Sequence, residues 1–431
     1  MNHGSRGSHG SHGSDPCLPC NPWLKGTVFL VCGLLWLGPA LVAAQAPTGH
    51  LSIFVDHFPT RDVTELRARA FIEEKADAGR HVRLTASGFV EGLAADRGGH
   101  VRDAIAEPHD LSVDFRVRRL DVTAGFTRIV WGRLDELQPT DVINPLDASR
   151  FFFEGRSEAR LAVPLVRARA YAGEHASLEA VYVPFFRRGR FDRLDEPTSP
   201  FNLAPGGIQV QEDTPARTLA NAQGGARLNA TTGRVDWSVS TYRGFRPFGV
   251  YAVPFIDAAA GPSAHRLFPR FTMIGGDMET VTGPWGFRAE TAVFVADAFQ
   301  AADAVGLRTG RSFDTGAGVD RKAGDYRVSG SVVVHHETYD PDPRGISGAR
   351  TDTSLILSAD RSFAREKYQG RVFGVYSPSS GSIFVRAIAM AKLQDNVALE
   401  ASIGWFQGRG LDTVGRFSDS DFVYARLKYY F

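Results

Sequence analysis

The chain ends Phe422-Val423-Tyr424-Ala425-Arg426-Leu427-Lys428-Tyr429-Tyr430-Phe431. Val423, Ala425, Leu427, Tyr429 and Phe431 share one parity, and Tyr424, Arg426, Lys428 and Tyr430 the other. Successive side chains of a strand point to opposite faces, so this is a strand with one greasy and one charged face. A soluble sandwich gives the same alternation, but its termini are commonly polar and frayed. An end made of Tyr-Tyr-Phe fits a membrane barrel, where aromatics sit at the interface and neighbouring strands clamp the last one.

The same period recurs upstream. Val397, Leu399, Ala401, Ile403 and Trp405 alternate with Ala398, Glu400, Ser402 and Gly404. Residues 383–392, 326–334, 285–293 and 235–240 repeat it. Counting back from Phe431 predicts strands at 51–58, 66–77, 81–91, 110–118, 121–132, 159–172, 175–186, 222–230, 234–244, 270–280, 285–297, 313–321, 325–337, 351–361, 367–377, 382–393, 397–407 and 421–431. Short turns are expected near Gly79, Arg119, Gly173, Gly233, Gly283, Gly324, Arg365 and Asp395-Asn396. Longer segments, 93–109, 133–158, 187–221, 245–269, 298–312, 339–350 and 408–420, lie between them. The connection at 378–381 breaks this rule by being short. Pro164 is expected to mark a bulge or kink. The fold class is therefore all-β: a transmembrane, antiparallel, up-and-down barrel of about 18 strands, with 16 the nearest alternative. Its short turns would be periplasmic and its long loops external.

Composition agrees. The 431 residues carry 49 Lys+Arg against 48 Asp+Glu, and this balance argues against a nucleic-acid partner. Lysine occurs six times, so 43 of the 49 basic residues are arginine. Residues 3–14 are low-complexity His-Gly-Ser sequence. The cysteines Cys17, Cys20 and Cys32 all precede the predicted barrel. Lys25, the apolar run Thr27–Val42 and small residues before Gln45 form a secretory signal with a cut after Ala44. Residues 1–44 are read as a leader with this signal peptide, and 45–431 as a single barrel domain. Sec export is the implied route.

No Gly-x-Ser-x-Gly elbow, Walker loop, Gly-x-Gly-x-x-Gly or His-Glu-x-x-His motif occurs, so no catalytic residue, cofactor or metal is assigned. His335-His336-Glu337 is the densest set of potential ligands, with His335 and Glu337 on one face. A polar strand end explains it without a metal. The candidate lumenal residues are Arg288, Glu290, Arg327, Arg386, Lys392, Glu400, Arg426 and Lys428, all on polar faces. Charges lining a pore set solute preference, and arginine suits carboxylate and phosphate groups. Pairing across neighbouring strands is the plainer role for any one of them. Segment 133–158 mixes Asp135, Asp141, Asp147, Arg150 and Arg156 with the apolar triplet Phe151, Phe152 and Phe153. A loop this apolar packs against something, and the barrel interior is nearest, so it is the candidate constriction loop. Segment 187–221 opens with arginines, either as a basic external lip or as a solvated loop.

The terminal Tyr-Tyr-Phe, with Leu427, Tyr429 and Phe431 on one face, resembles the signal read by the barrel-assembly machinery of Gram-negative bacteria. Val130-Trp131-Gly132, Asp141-Val142-Ile143-Asn144-Pro145-Leu146-Asp147 and Val181-Tyr182-Val183-Pro184-Phe185 resemble a group of porin-like outer-membrane proteins of unassigned function. The resemblance implies a barrel in the outer-membrane lipid and solute passage; it supplies neither a substrate nor catalytic residues. Together these features predict a passive channel for small solutes, acidic or amphipathic ones fitting best. The rival readings are a barrel enzyme acting on lipids and a structural or adhesive barrel.

Overall fold

The computed structural model describes residues 42–191, 194, 196–202, 209–257, 261–300, 307–342, 345, 347–409, 412 and 414–431. The chain divides into two units, Met1–Ala43 and Ala44–Phe431. The expected leader lies outside the described residues apart from its last three positions.

Eighteen antiparallel strands build the second unit. They are β1 (Thr48–Phe58), β2 (Val63–Ala78), β3 (Val82–Asp96), β4 (His100–Val117), β5 (Leu120–Thr127), β6 (Val163–Ala172), β7 (Ala176–Val183), β8 (Gln223–Thr232), β9 (Val235–Phe245), β10 (Arg270–Thr282), β11 (Trp285–Gln300), β12 (Leu307–Ala323), β13 (Tyr326–Tyr339), β14 (Gly348–Phe363), β15 (Tyr368–Ser377), β16 (Ser382–Gln394), β17 (Val397–Gln407) and β18 (Phe422–Tyr430). Each pairs with its sequence neighbour, and β18 returns to β1 from His50↔Tyr430 to His57↔Val423, which closes the sheet. Phe431, one residue past β18, exchanges backbone hydrogen bonds with Gly49 at 3.1 Å each way. Closure removes both sheet edges. The count is eighteen rather than sixteen.

The two faces differ as the alternation requires. On β1, Leu51, Ile53 and Val55 are exposed outward, while Ser52, Phe54 and Asp56 are buried inward. On β18, Val423 and Leu427 are outward and Tyr424 and Arg426 are buried. Leu66, Val90, Val239, Ile274, Leu357, Val372 and Ile403 continue the outer apolar surface around the wall. A belt of that extent is a lipid-facing surface. Left-handed glycines such as Gly233 (φ 62°) and Gly324 (φ 60°) make tight turns at one rim. The long connections leave the other.

Several expected boundaries move. Segment 93–109 is not a long loop: β3 and β4 run on to Asp96 and His100. Buried Leu93 and Ala95, with Val101 and Ile105, pack with Leu194 and carry this hairpin onward. Segments 298–312 and 339–350 shorten because β11 to β14 are longer than expected. β5 stops at Thr127, short of the predicted 132. Pro164 pairs opposite Phe126 without a register shift. The irregular registers lie instead at Ser87/Gly88, Phe294/Asp297 and Lys392/Gln394. Two long loops also form a separate three-stranded sheet, from Gln209–Asp213, Val250–Asp257 and Gly261–Leu267.

Candidate functional site

Between β5 and β6 the chain turns into the barrel, and its own motifs fold it there. Asn144 ties the base of the loop: its Oδ1 accepts from the Ile129 N–H at 2.7 Å, and its Nδ2 donates to the carbonyls of Thr127 (3.1 Å) and Leu161 (2.9 Å). Asp141 accepts from Arg160 at 2.7 Å and Arg156 at 3.2 Å, and Trp131 Nε1 donates to Glu179 on β7 at 2.7 Å. Asp147 caps α1 (Ala148–Glu154) and pairs with Arg190 at 2.6 Å.

The loop then spans the lumen and docks on the far wall. Glu290 of β11 accepts from the backbone N–H groups of Arg133 and Leu134 and from the N–H and hydroxyl of Thr140. Gly132 makes room for that carboxylate, since a Cβ there would lie 3.1 Å from both its oxygens. Leu134 seats on Gly316 and Gly318 of β12, where added Cβ atoms would come within 2.7 and 3.0 Å of it. Arg133 pairs with Asp277 (2.6 Å) and Glu279 (3.1 Å); Arg288 pairs with Glu279 and Asp320 (3.0 Å each) and with Asp135 (3.5 Å).

The helical part returns to the opposite side. Phe152 stacks on Phe201 at 5.3 Å and meets Phe384, Phe406 and Phe417 edge-on. Phe153 packs on Phe422 at 4.6 Å and on Tyr424 at 5.7 Å. Glu154 sits between Arg69 of β2 (2.7 Å) and Arg426 of β18 (2.8 Å), with Arg150 at 3.6 Å. Burial pushes the Glu154 carboxyl up, but the Arg69, Arg150 and Arg426 guanidiniums outweigh it and hold it well below the usual range. Arg150 is itself buried, 4.1 Å above the Phe89 ring and 3.3 Å from Glu91.

What remains between loop and wall is a cavity of about 710 Å³. Arg69, Arg128, Arg371, Arg386, Arg426 and Lys428 line it with Glu73, Glu136, Glu154, Glu158, Asp360 and Glu400. Phe71, Phe89, Phe151 and Phe153 supply ring surface. Arg386 donates to the Phe153 carbonyl, the Tyr424 hydroxyl (2.6 Å) and Ser402 (3.0 Å). Glu400 lies 2.7 Å from Arg426 and 3.9 Å from Lys428. Glu136 faces Arg371 at 3.4 Å; burial raises its carboxyl above the usual range, Arg371 opposing and Asp135 adding to the shift. Arg426 Nε is buried with no hydrogen-bond partner among the described residues.

The wall candidates from the sequence thus divide. Arg386, Glu400, Arg426 and Lys428 gather at the cavity. Arg288 and Glu290 hold the loop on the opposite wall. Arg327 pairs with Asp320 at 3.4 Å beside a tight turn, and Lys392 is exposed beside another. In the loop, Phe151, Phe152 and Phe153 line the cavity, Asp141 and Arg156 pair with each other, Asp147 caps α1 and meets Arg190, and Arg150 reaches Glu91 on the wall. Arg69, Arg128, Glu136, Glu154, Glu158 and Arg371 join the cavity although the sequence pattern does not single them out. The alternation around Arg69 is visible in the sequence, but pairing across the lumen has no local signature. Of the described arginines in 187–221, Arg187 and Arg190 reach Glu107 at 2.5 and 2.9 Å, and Arg188 pairs with Glu196 at 2.8 Å, so these three are paired with carboxylates. His335 lies between Asp314 and Glu337 on the inner face, and His336 contacts Thr351 at 2.8 Å.

No protein-family model matches the sequence, and neither does any curated protein. Solved structures match in fold. OpdK of Pseudomonas aeruginosa, crystallised with vanillate, superposes with a TM-score of 0.51 at 12% identity, over 91% of this chain and 98% of its own. OccAB2 of Acinetobacter baumannii gives 0.52 at 9% identity, over 90% and 98%, and OccAB1 gives 0.52 at 9%, over 90% and 95%. At that identity the likeness is one of architecture: this chain has the porin-like, eighteen-stranded closed barrel fold of those Gram-negative proteins.

Proposed function

We propose that the chain is a passive outer-membrane channel for small solutes bearing a carboxylate on an apolar or aromatic body. The observation that carries this reading is the cavity left between the inward loop and the wall, with clustered guanidiniums beside aromatic rings. Arginine presents paired donors in the geometry a carboxylate accepts. Arg386, Arg426 and Lys428 would meet the acid group, and Phe71, Phe89 and Phe151 the body. Glu136 and Glu158 across the cavity disfavour solutes of high negative charge. The fold shared with OpdK, whose crystals held the aromatic carboxylate vanillate, supports the same class. Passage needs no energy input: a solute exchanges part of its hydration for these fixed groups and leaves again because no contact encloses it.

Planar-bilayer recording with the purified barrel tests this. Discrete conductance steps are expected, with aromatic monocarboxylates blocking current more strongly than their amides. Arg426→Gln should weaken that block about tenfold, as for one lost charged hydrogen-bonding partner. A folded barrel that conducts nothing would sink the channel reading; equal block by acid and amide would sink the carboxylate reading alone.

A further inference from the structure

The outer wall carries a dent in its apolar belt. It lies across β9 to β13, is floored by Gly276, Ala289, Thr291, Thr315 and Ala317, and is flanked by Trp237, Met278, Val332 and Val334. Its volume is about 540 Å³. Ladder partners fix the layout: Met278↔Ala289, Ala289↔Ala317 and Ala317↔Val332 form one row. Larger outward side chains bound it, Phe287 and Val319 on the tight-turn side, Val293 and Phe313 on the loop side. The surrounding wall is bulky, and here it is hollow.

Toward the tight turns, the stretch from β11 to β15 carries cations on rings. Arg321 stands over Trp285 at 4.9 Å. Arg361 stands over Tyr326 at 4.6 Å and Phe363 at 5.7 Å, and Lys367 over Tyr368 at 5.6 Å. The four rings are outward and exposed, in the position of an interfacial girdle. Among the described residues none of these three cations has a carboxylate within ion-pair distance, whereas most lumenal arginines do. Arg321 and Arg361 are two strands apart, roughly 10 Å at the usual spacing. From Trp285 to Ala289 the strand rises about 13 Å, within the length of an acyl chain.

We infer that this face is a binding site for an anionic glycerophospholipid of the periplasmic leaflet, its phosphate between Arg321, Arg361 and Lys367 and one acyl chain in the hollow over Ala289 and Ala317. Charge selects the headgroup. A polar sugar-phosphate lipid of the opposite leaflet would approach from the loop rim, away from these cations. The hollow selects a chain over a flat protein partner, because its mouth ends at a headgroup-level set of cations rather than at more apolar surface.

Native mass spectrometry of the barrel released from bilayers of equal phosphatidylglycerol and phosphatidylcholine tests the site. Retention of phosphatidylglycerol over phosphatidylcholine is expected. Arg321→Gln, Arg361→Gln and Lys367→Gln should each lower that preference about fivefold, the effect of one cation near a charged lipid surface. Ala317→Leu, which fills the hollow and keeps the cations, should lower retention of phosphatidylglycerol as well. Ala317, Arg321 and Arg361 occupy exposed positions of β12 and β14 and Lys367 the turn after β14, and gel migration before and after boiling checks that each variant has closed. Equal retention of the two lipids, or preference unchanged in the combined triple variant, would overturn the site. So would a dimer lost in Ala317→Leu, which would make the hollow a contact between copies of the chain.

Discussion

Glu290 is the residue on which the inner architecture turns. A carboxylate buried in the wall accepts from three backbone N–H groups and a hydroxyl of the loop, and among the described residues no cation pairs with it directly. Replacing it by alanine leaves those N–H groups unsatisfied, at about 1–3 kcal/mol for each that stays buried. Glu290→Ala should therefore release the 133–140 arm while the barrel stays closed. Limited proteolysis should find a new cut in that arm, and single-channel records should become noisy. Glu136 makes a different prediction. Its carboxyl is raised by burial, so it takes up its proton at a higher pH than an ordinary glutamate. As pH falls toward the range in which ordinary glutamates titrate, the carboxylate opposite Arg371 is lost first. Anion permeability should rise over that interval, read as a shift in reversal potential. Glu136→Gln should hold the higher anion permeability at every pH and flatten the dependence; a profile unchanged in the variant assigns the titration elsewhere. Glu154, held low by three arginines, should contribute nothing in this range.

At the scale of elements, the loop from Arg128 to Ala162 and the last strand each carry a test. Deleting Pro139–Glu154 removes α1 and both faces of its contact with the wall. Conductance should rise and the discrimination between anions and cations should fall, because the narrowing and its charges go together. Unaltered conductance in a closed deletion barrel would show that solutes do not pass beside this loop. Removing Phe431 takes away the backbone exchange with Gly49 at the seam. The amount of closed barrel should drop while export across the inner membrane continues, measured by comparing folded and total protein in the envelope. Strand alternation is legible in the sequence because burial on one face and lipid on the other act on each residue separately. That is why all eighteen strands can be placed in order from Phe431 backward. The hairpin tip at 93–109 reads as a loop because Asp96-Arg97-Gly98-Gly99-His100 is polar, while the apolar support for it, Leu194, lies in a distant loop. The loop's inward turn is legible from Phe151–Phe153. Its partners are not: Glu154 meets Arg426 272 positions away, and no spacing rule connects them.

For the molecule as a whole, a sheet closed on itself with an apolar exterior should resist detergent until heated. Unboiled samples should migrate faster on gels than boiled ones, and the protein should fractionate with the outer membrane. Recovery as a soluble periplasmic protein would contradict the barrel's exterior as well as its proposed role. Charge is distributed to suit that placement: the outer wall is nearly free of it between the rims, and the interior carries dense arginine–carboxylate pairing. Interior pairs of this kind do not have to drive folding, since breaking one costs more than forming it gains. Their work is to fix which way the loop lies.

The bridge from Arg69 through Glu154 to Arg426 joins the second strand to the last across the seam where β1 meets β18. Because the bridge straddles the seam, this side of the loop is held from both strands only when β1 and β18 are paired. Closing the sheet and fixing this end of the loop are therefore one event, and a barrel ajar at the seam would leave Glu154 without the arginine of its last strand.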